Sequence, residues 1–143
     1  MIEDPDAPRG WSVDIFAKFW AKPNLAWVKY SCTPDIVAYW PWSPKPVHGV
    51  EEYTKGLAAV LIIVPDITLE VAEHATAGES VFVRWVARGT GGKGRFELNG
   101  VDRFLVRNNL VYETRVFFDS ARFRSAIGRF RVASRLLQVA IRR

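Results

Sequence analysis

Asp102 is the side chain whose setting in this sequence could do chemistry. It lies in Phe96-Glu-Leu-Asn-Gly-Val-Asp-Arg-Phe-Leu-Val-Arg107, a run that reads as a strand. Side chains alternate along a strand, so Phe96, Leu98, Gly100, Asp102, Phe104 and Val106 share one side. Glu97, Asn99, Arg103 and Arg107 take the other, with Val101 and Leu105. Asp102 is the only charged member of the apolar set, and burying an unpaired carboxylate there costs on the order of several kcal/mol. Such a group is either a structural Asp bonded to a neighbouring arginine or to backbone amides, or a carboxyl with a displaced pKa at a functional site. An opposed guanidinium keeps it ionised, and an apolar wall raises its pKa.

Two hairpins decide what faces it. Thr90-Gly-Gly-Lys-Gly94 forms the tip between strands 80–88 and 95–107. Centring that hairpin between Gly91 and Gly92 sets Trp85 opposite Leu98, Val83 opposite Gly100 and Val81 opposite Asp102, so two adjacent strands present one apolar face. Asn108-Asn109 supplies the next turn, because asparagine tolerates positive φ. A plain two-residue turn there puts Arg115 opposite Asp102. A single bulge reverses the phase and turns Tyr112, Thr114, Val116 and Phe118 inward instead. The bulged register buries more apolar surface and is the favoured one.

Upstream elements must build the rest of the wall. Residues 11–21 carry Val13, Phe16, Phe19 and Trp20 at helical spacing, and Lys22-Pro23 ends that helix. Asn24 caps a second helix through about Ser31 with Leu25, Trp27 and Val28 inward. Thr33-Pro-Asp35 turns into a short strand, Ile36 to Trp40. Three prolines in Pro41-Trp-Ser-Pro-Lys-Pro46 exclude regular structure, giving a loop anchored by Trp40 and Trp42. A third helix covers about Val50 to Ile63, with Glu51 and Glu52 in its first turn. Asp66 to His74 and Leu110 to Phe118 complete the strands, and a helical tail starts near Ser120. The plan is an α+β fold of three helices, one early strand, a four-stranded meander and a final helix.

Composition narrows the function classes. A chain of 143 residues that is 49% hydrophobic, with six tryptophans, forms one domain with a substantial core. The net charge of +5 belongs to the tail: every acidic residue lies at or before Asp119, and seven arginines follow it. Without them thirteen basic residues face fifteen acidic ones, which is no nucleic-acid surface. The lone Cys32 forms no internal disulfide, and His48 and His74 sit in no ligand-pair spacing, so no metal and no cofactor are expected. Gly89-Thr-Gly-Gly-Lys-Gly94 lacks the order of a phosphate loop. No apolar run is long enough for a membrane span. The acidic N-terminus argues against a secretory signal, and a cytoplasmic protein is expected.

Several phrases together resemble the SnoaL-like polyketide cyclase and ketosteroid isomerase branch of the nuclear-transport-factor-two-like superfamily. They are Thr33-Pro-Asp-Ile-Val37, Pro46-Val-His-Gly-Val-Glu-Glu-Tyr53, Val64-Pro-Asp66, Val83-Arg-Trp85, Gly100-Val-Asp-Arg-Phe104 and Val116-Phe-Phe-Asp119. The resemblance implies a cone: N-terminal helices inside a strongly curved antiparallel sheet, a cavity for a small apolar molecule, and a homodimer. It places Asp102 where ketosteroid isomerases keep a protonated Asp in the oxyanion hole, an established case. Asp102 would then donate to a substrate carbonyl, or act as the carboxylate base of a cyclase. At the isomerase base position the chain has Trp40, and at the oxyanion-hole tyrosine position it has Phe16. Trp cannot abstract a proton and Phe cannot donate one, which argues against the isomerase route.

The candidate ligand-binding wall is therefore Phe16, Trp20, Tyr39, Trp40, Trp42, Val83, Trp85, Leu98, Val116 and Phe118, with Asp102 as candidate catalytic group. Aromatic residues at these spacings also serve as plain core. The domain is expected to cover 1–128, with 129–143 a basic amphipathic helical extension. That tail could pack on its own domain, lie on an anionic membrane surface or cap a partner subunit.

Overall fold

Ser12 opens the first helix by accepting a hydrogen bond from the Ile15 amide, one of the amides a helix start leaves unpaired. The computed structural model describes residues 5–128. Helix α1 (Val13–Ala21) buries Phe16 and Trp20. The segment expected as a second helix is split: Asn24 caps a single 3₁₀ turn, Leu25–Trp27, and α2 (Val28–Ser31) adds one α turn. Strand β1 (Cys32–Tyr39) follows without the expected Thr33-Pro-Asp35 turn. Pro34 lies where the pairing of β1 is irregular, between Cys32 and Val37, a place where a missing N–H is tolerated.

After the proline loop comes β2 (Val47–His48), a two-residue edge strand. Helix α3 (Val50–Ile63) then leads into β3 (Thr68–Ala77), β4 (Ser80–Gly91), β5 (Gly94–Arg107) and β6 (Leu110–Phe118). Asp66, expected to begin β3, instead accepts from the Thr90 amide and hydroxyl and ties the α3–β3 link to the end of β4. Asp119 caps α4 (Ser120–Ile127) through the Arg122 amide.

Among the described residues the strands form one six-stranded sheet in the order β2-β1-β6-β5-β4-β3. Only β1 and β6 run parallel. Pairing irregularities on β1, β3 and β6 bend the strands, and the sheet curves without closing. Its concave face holds Val83, Trp85, Leu98, Phe104 and Val111 against Phe16, Trp20, Ile63 and Val64. The fold is α+β, as expected.

Two registers differ in detail from expectation. The β4–β5 turn is Gly92-Lys93, so Gly91 pairs with Gly94, Trp85 with Gly100, and Val83 with Asp102. The shift is two residues, so every side chain keeps its face. Asn108 and Asn109 both take positive φ, 54° and 64°, in the two-residue turn of the next hairpin. One bulge follows: Val106 pairs with Val111 but Leu105 with Glu113. Thr114, Val116 and Phe118 therefore share the face of Asp102, which stands opposite Val116. Tyr112, expected inward, is the extra residue itself, and its hydroxyl donates to Glu79. The tail beyond 128, expected as a basic amphipathic extension, lies outside the described residues.

Candidate functional site

The concave face and the helices enclose a cavity of about 240 Å³. This exceeds the ~150 Å³ engineered cavity known to admit benzene. Asp102 on β5 forms part of its wall, with 8% of its surface exposed. Its Oδ1 accepts from the Trp85 indole Nε1–H over 3.0 Å. Trp85 reaches it by lying across Gly100, where a side-chain methyl would overlap the indole ring. Oδ2 takes no hydrogen bond from a described residue.

Burial is the main influence on this carboxyl and outweighs the indole hydrogen bond, which favours the charged form. Together they push Asp102 up to about 7. Arg115 does not oppose it. The bulge sets Arg115 opposite Arg103 on the convex face, with its guanidinium 3.9 Å above the Tyr39 ring. Arg103 itself pairs with Glu113. The apolar-wall alternative is the one realised.

Most of the expected wall residues converge on the cavity. Phe16 and Trp20 come from α1, Trp40 and Trp42 from the loop, and Trp85, Leu98, Val116 and Phe118 from the sheet. Two do not. Tyr39 sits beneath Arg115, because β1 side chains alternate and Ala38 takes the inward place. Val83 is fully buried but packs within the core rather than on the cavity wall. His48 stands exposed on β2, away from the cavity.

Several wall residues escaped the sequence reading. Tyr53, Leu57 and Val60 of α3 line the cavity at helical spacing, the signal that could have found them. Tyr53 stacks on Trp40, with ring centroids 5.7 Å apart, and Trp40 stacks on Trp42 at 5.3 Å. The Trp40 ring occupies the space where a Gly56 side chain would be. Burial, and then the nearby Asp102 and Cys32, hold the Tyr53 phenol well above the ordinary tyrosine range. Cys32 lines the same cavity, donates to the Val28 carbonyl and is pushed up to about 12 by burial. Arg124 of α4 and Asp102 are the charged or chargeable wall residues besides these. Among the described residues no group of three or more His, Cys, Asp or Glu could hold a metal ion.

An apolar chamber with a raised carboxyl can bind a flat hydrophobic molecule and exchange a proton with it. It contains no second carboxylate among the described wall residues.

Comparison with known proteins agrees with this architecture. A family model described as a SnoaL-like domain matches residues 13–114. Among curated proteins none matches the sequence. A Jannaschia sp. CCS1 structure, provisionally named a SnoaL-like polyketide cyclase, is 19% identical with a TM-score of 0.71. The match covers 80% of this chain and 87% of that one. An NTF2-like protein of unknown function from Burkholderia pseudomallei K96243 is 22% identical, with a TM-score of 0.70, covering 78% and 90%. A Catenulispora acidiphila DSM 44928 protein of ketosteroid isomerase-like fold, solved with trimethylamine, is 15% identical at 0.72, covering 87% and 93%. At these identities the likeness to solved structures is one of fold.

Proposed function

Because the chain belongs to the SnoaL-like domain family, we propose that it binds a small hydrophobic molecule of polyketide, steroid or similar aromatic kind in the cavity, and that Asp102 exchanges a proton with a carbonyl of that molecule. The observation that carries this reading is the Asp102 carboxyl: buried, raised to about 7 and bonded to a single indole beside unfilled space. A carboxyl near neutrality can give a proton to a developing oxyanion or take one from an activated carbon at almost equal cost. Phe16, Trp20, Trp40, Trp85, Leu98, Val116 and Phe118 supply the apolar enclosure and exclude water, and Trp42, 42% accessible, stands where the wall meets solvent.

Turnover of enone and polyketide candidates, followed by mass spectrometry for wild type and Asp102→Asn, tests the assignment. An acid–base role predicts a rate loss of about 10²-fold or more. Equal rates in the two proteins would reject it.

A second reading, non-catalytic binding, is favoured by one feature: Trp40 and Phe16 line the cavity, and the resemblance puts these residues, which can neither abstract nor donate the proton, at the isomerases' base and tyrosine positions. It expects saturable tryptophan quenching by apolar ligands with no product formed. A homodimer is part of the proposal. Phe82 and Phe117 stand exposed on the convex face of the sheet, 40% and 51% accessible, and supply apolar surface that a second copy would cover. Light scattering at micromolar concentration, for wild type and a Phe82→Ser/Phe117→Ser variant, measures it. A monomeric wild type would reject that face as an interface.

A further inference from the structure

Tyr53 on α3 lines the same cavity as Asp102 on β5. Its ring is held in place: it stacks on Trp40, and Trp40 in turn lies on the bare backbone of Gly56 and against Trp42. A ring fixed this way keeps its hydroxyl in one position, which reduces the entropy lost when a ligand is bound. The hydroxyl makes no hydrogen bond with a described residue, and Asp102 Oδ2 likewise takes none. Both atoms belong to residues of the same cavity wall, amid aromatic and aliphatic surface. Tyr53, Asp102 and Cys32 all line this one cavity.

We propose that Tyr53 is a specificity-determining residue of this cavity: its hydroxyl donates to the same ligand oxygen that engages Asp102, so the chamber selects flat apolar molecules bearing a hydroxyl or enol oxygen over their plain hydrocarbon counterparts. A ligand hydroxyl can donate to Asp102 Oδ2 while accepting from the Tyr53 O–H, which satisfies all three groups at once. The donor comes from α3 and not from α1, where Phe16 offers no hydroxyl. This rests on the cavity being a ligand site, as proposed above, and adds the residue that reads the ligand's polarity.

The test uses the full chain and two probes of nearly equal shape, 2-naphthol and naphthalene, titrated by tryptophan quenching and calorimetry into wild type and Tyr53→Phe. Phe keeps the stack on Trp40, and the naphthalene affinity reports whether the chamber itself survived the substitution. The expected result is a 2-naphthol Kd about 3- to 10-fold weaker in Tyr53→Phe, the worth of one buried hydrogen bond, with the naphthalene Kd within about twofold of wild type. A 2-naphthol Kd unchanged by Tyr53→Phe overturns the role of Tyr53 and leaves the ligand site standing. An equal loss for both probes overturns it too, by showing that the ring only shapes the wall. Failure of the wild type to bind either probe overturns the ligand site and this inference together.

Discussion

The Trp85 indole nitrogen donates to Asp102 Oδ1 over 3.0 Å, and it does so by lying across Gly100, its own cross-strand partner. Three residues on two strands thereby make one unit. The glycine leaves room, the indole fills it, and the carboxyl two positions along β5 receives the donor.

Asp102 should make stability fall as pH rises. Its folded pKa of about 7 lies above the ordinary value of 3.8, so between those limits the folded chain holds a proton that the unfolded chain has released. Stability from this group is complete below about pH 4 and is lost as pH climbs through about 7, a loss on the order of 4 kcal/mol. Thermal unfolding of wild type and Asp102→Asn at pH 5 and pH 8 measures it. The variant's gain over wild type should be larger at pH 8, and a pH-independent difference contradicts the raised pKa.

Gly100→Ala should strike the same unit from the backbone side. Its methyl overlaps the Trp85 ring, and overpacking of this kind costs about 1–3 kcal/mol. Tryptophan emission should shift as the indole leaves Asp102. Adding Trp85→Phe should recover part of the stability, since a smaller ring relieves the overlap. No recovery would mean that the strand, and not the indole, rejects the methyl.

Thr114 offers a stabilising change. It is fully buried on β6 opposite Phe104, and its hydroxyl has no partner among the described residues. Thr114→Val keeps the branched shape and removes the unpaired hydroxyl. A gain of about 1 kcal/mol, or about 2–4 °C in Tm, is expected. A lower Tm would show that the hydroxyl is satisfied after all.

Cys32 should resist thiol reagents while the chain is folded. It is buried, and its thiol is pushed up to about 12, so at pH 8 the thiolate fraction falls by roughly a thousandfold from that of an ordinary thiol. Labelling with iodoacetamide at pH 8, with and without denaturant, reads the difference. Comparable rates in both conditions would place the thiol in solvent.

Much of the architecture was legible along the chain because it depends on local periodicity. Alternation put Asp102 on the apolar face together with Trp85 and Leu98, and the helical spacing of Phe16 and Trp20 put both inside. Asn108-Asn109 marked its turn by the φ values it tolerates. The β4–β5 register was off by two residues, an error that leaves every face unchanged. Edge strand β2 was missed because two residues carry no period.

Tertiary structure decided what periodicity cannot carry. Whether Arg115 or Val116 meets Asp102 depends on one bulged residue, Tyr112, which the pairing of β5 with β6 leaves without a partner. The strand phase that sends Tyr39 outward under Arg115 is likewise set by the pairing of β1 with β6. Tyr53 and Asp102 line one cavity only because the tertiary fold brings together residues 49 positions apart. The chain by itself settled which side chains avoid water, since burial follows from pattern and composition. The fold alone settled which of them meet around an unfilled space, since that depends on long-range packing among helices and strands far apart in sequence.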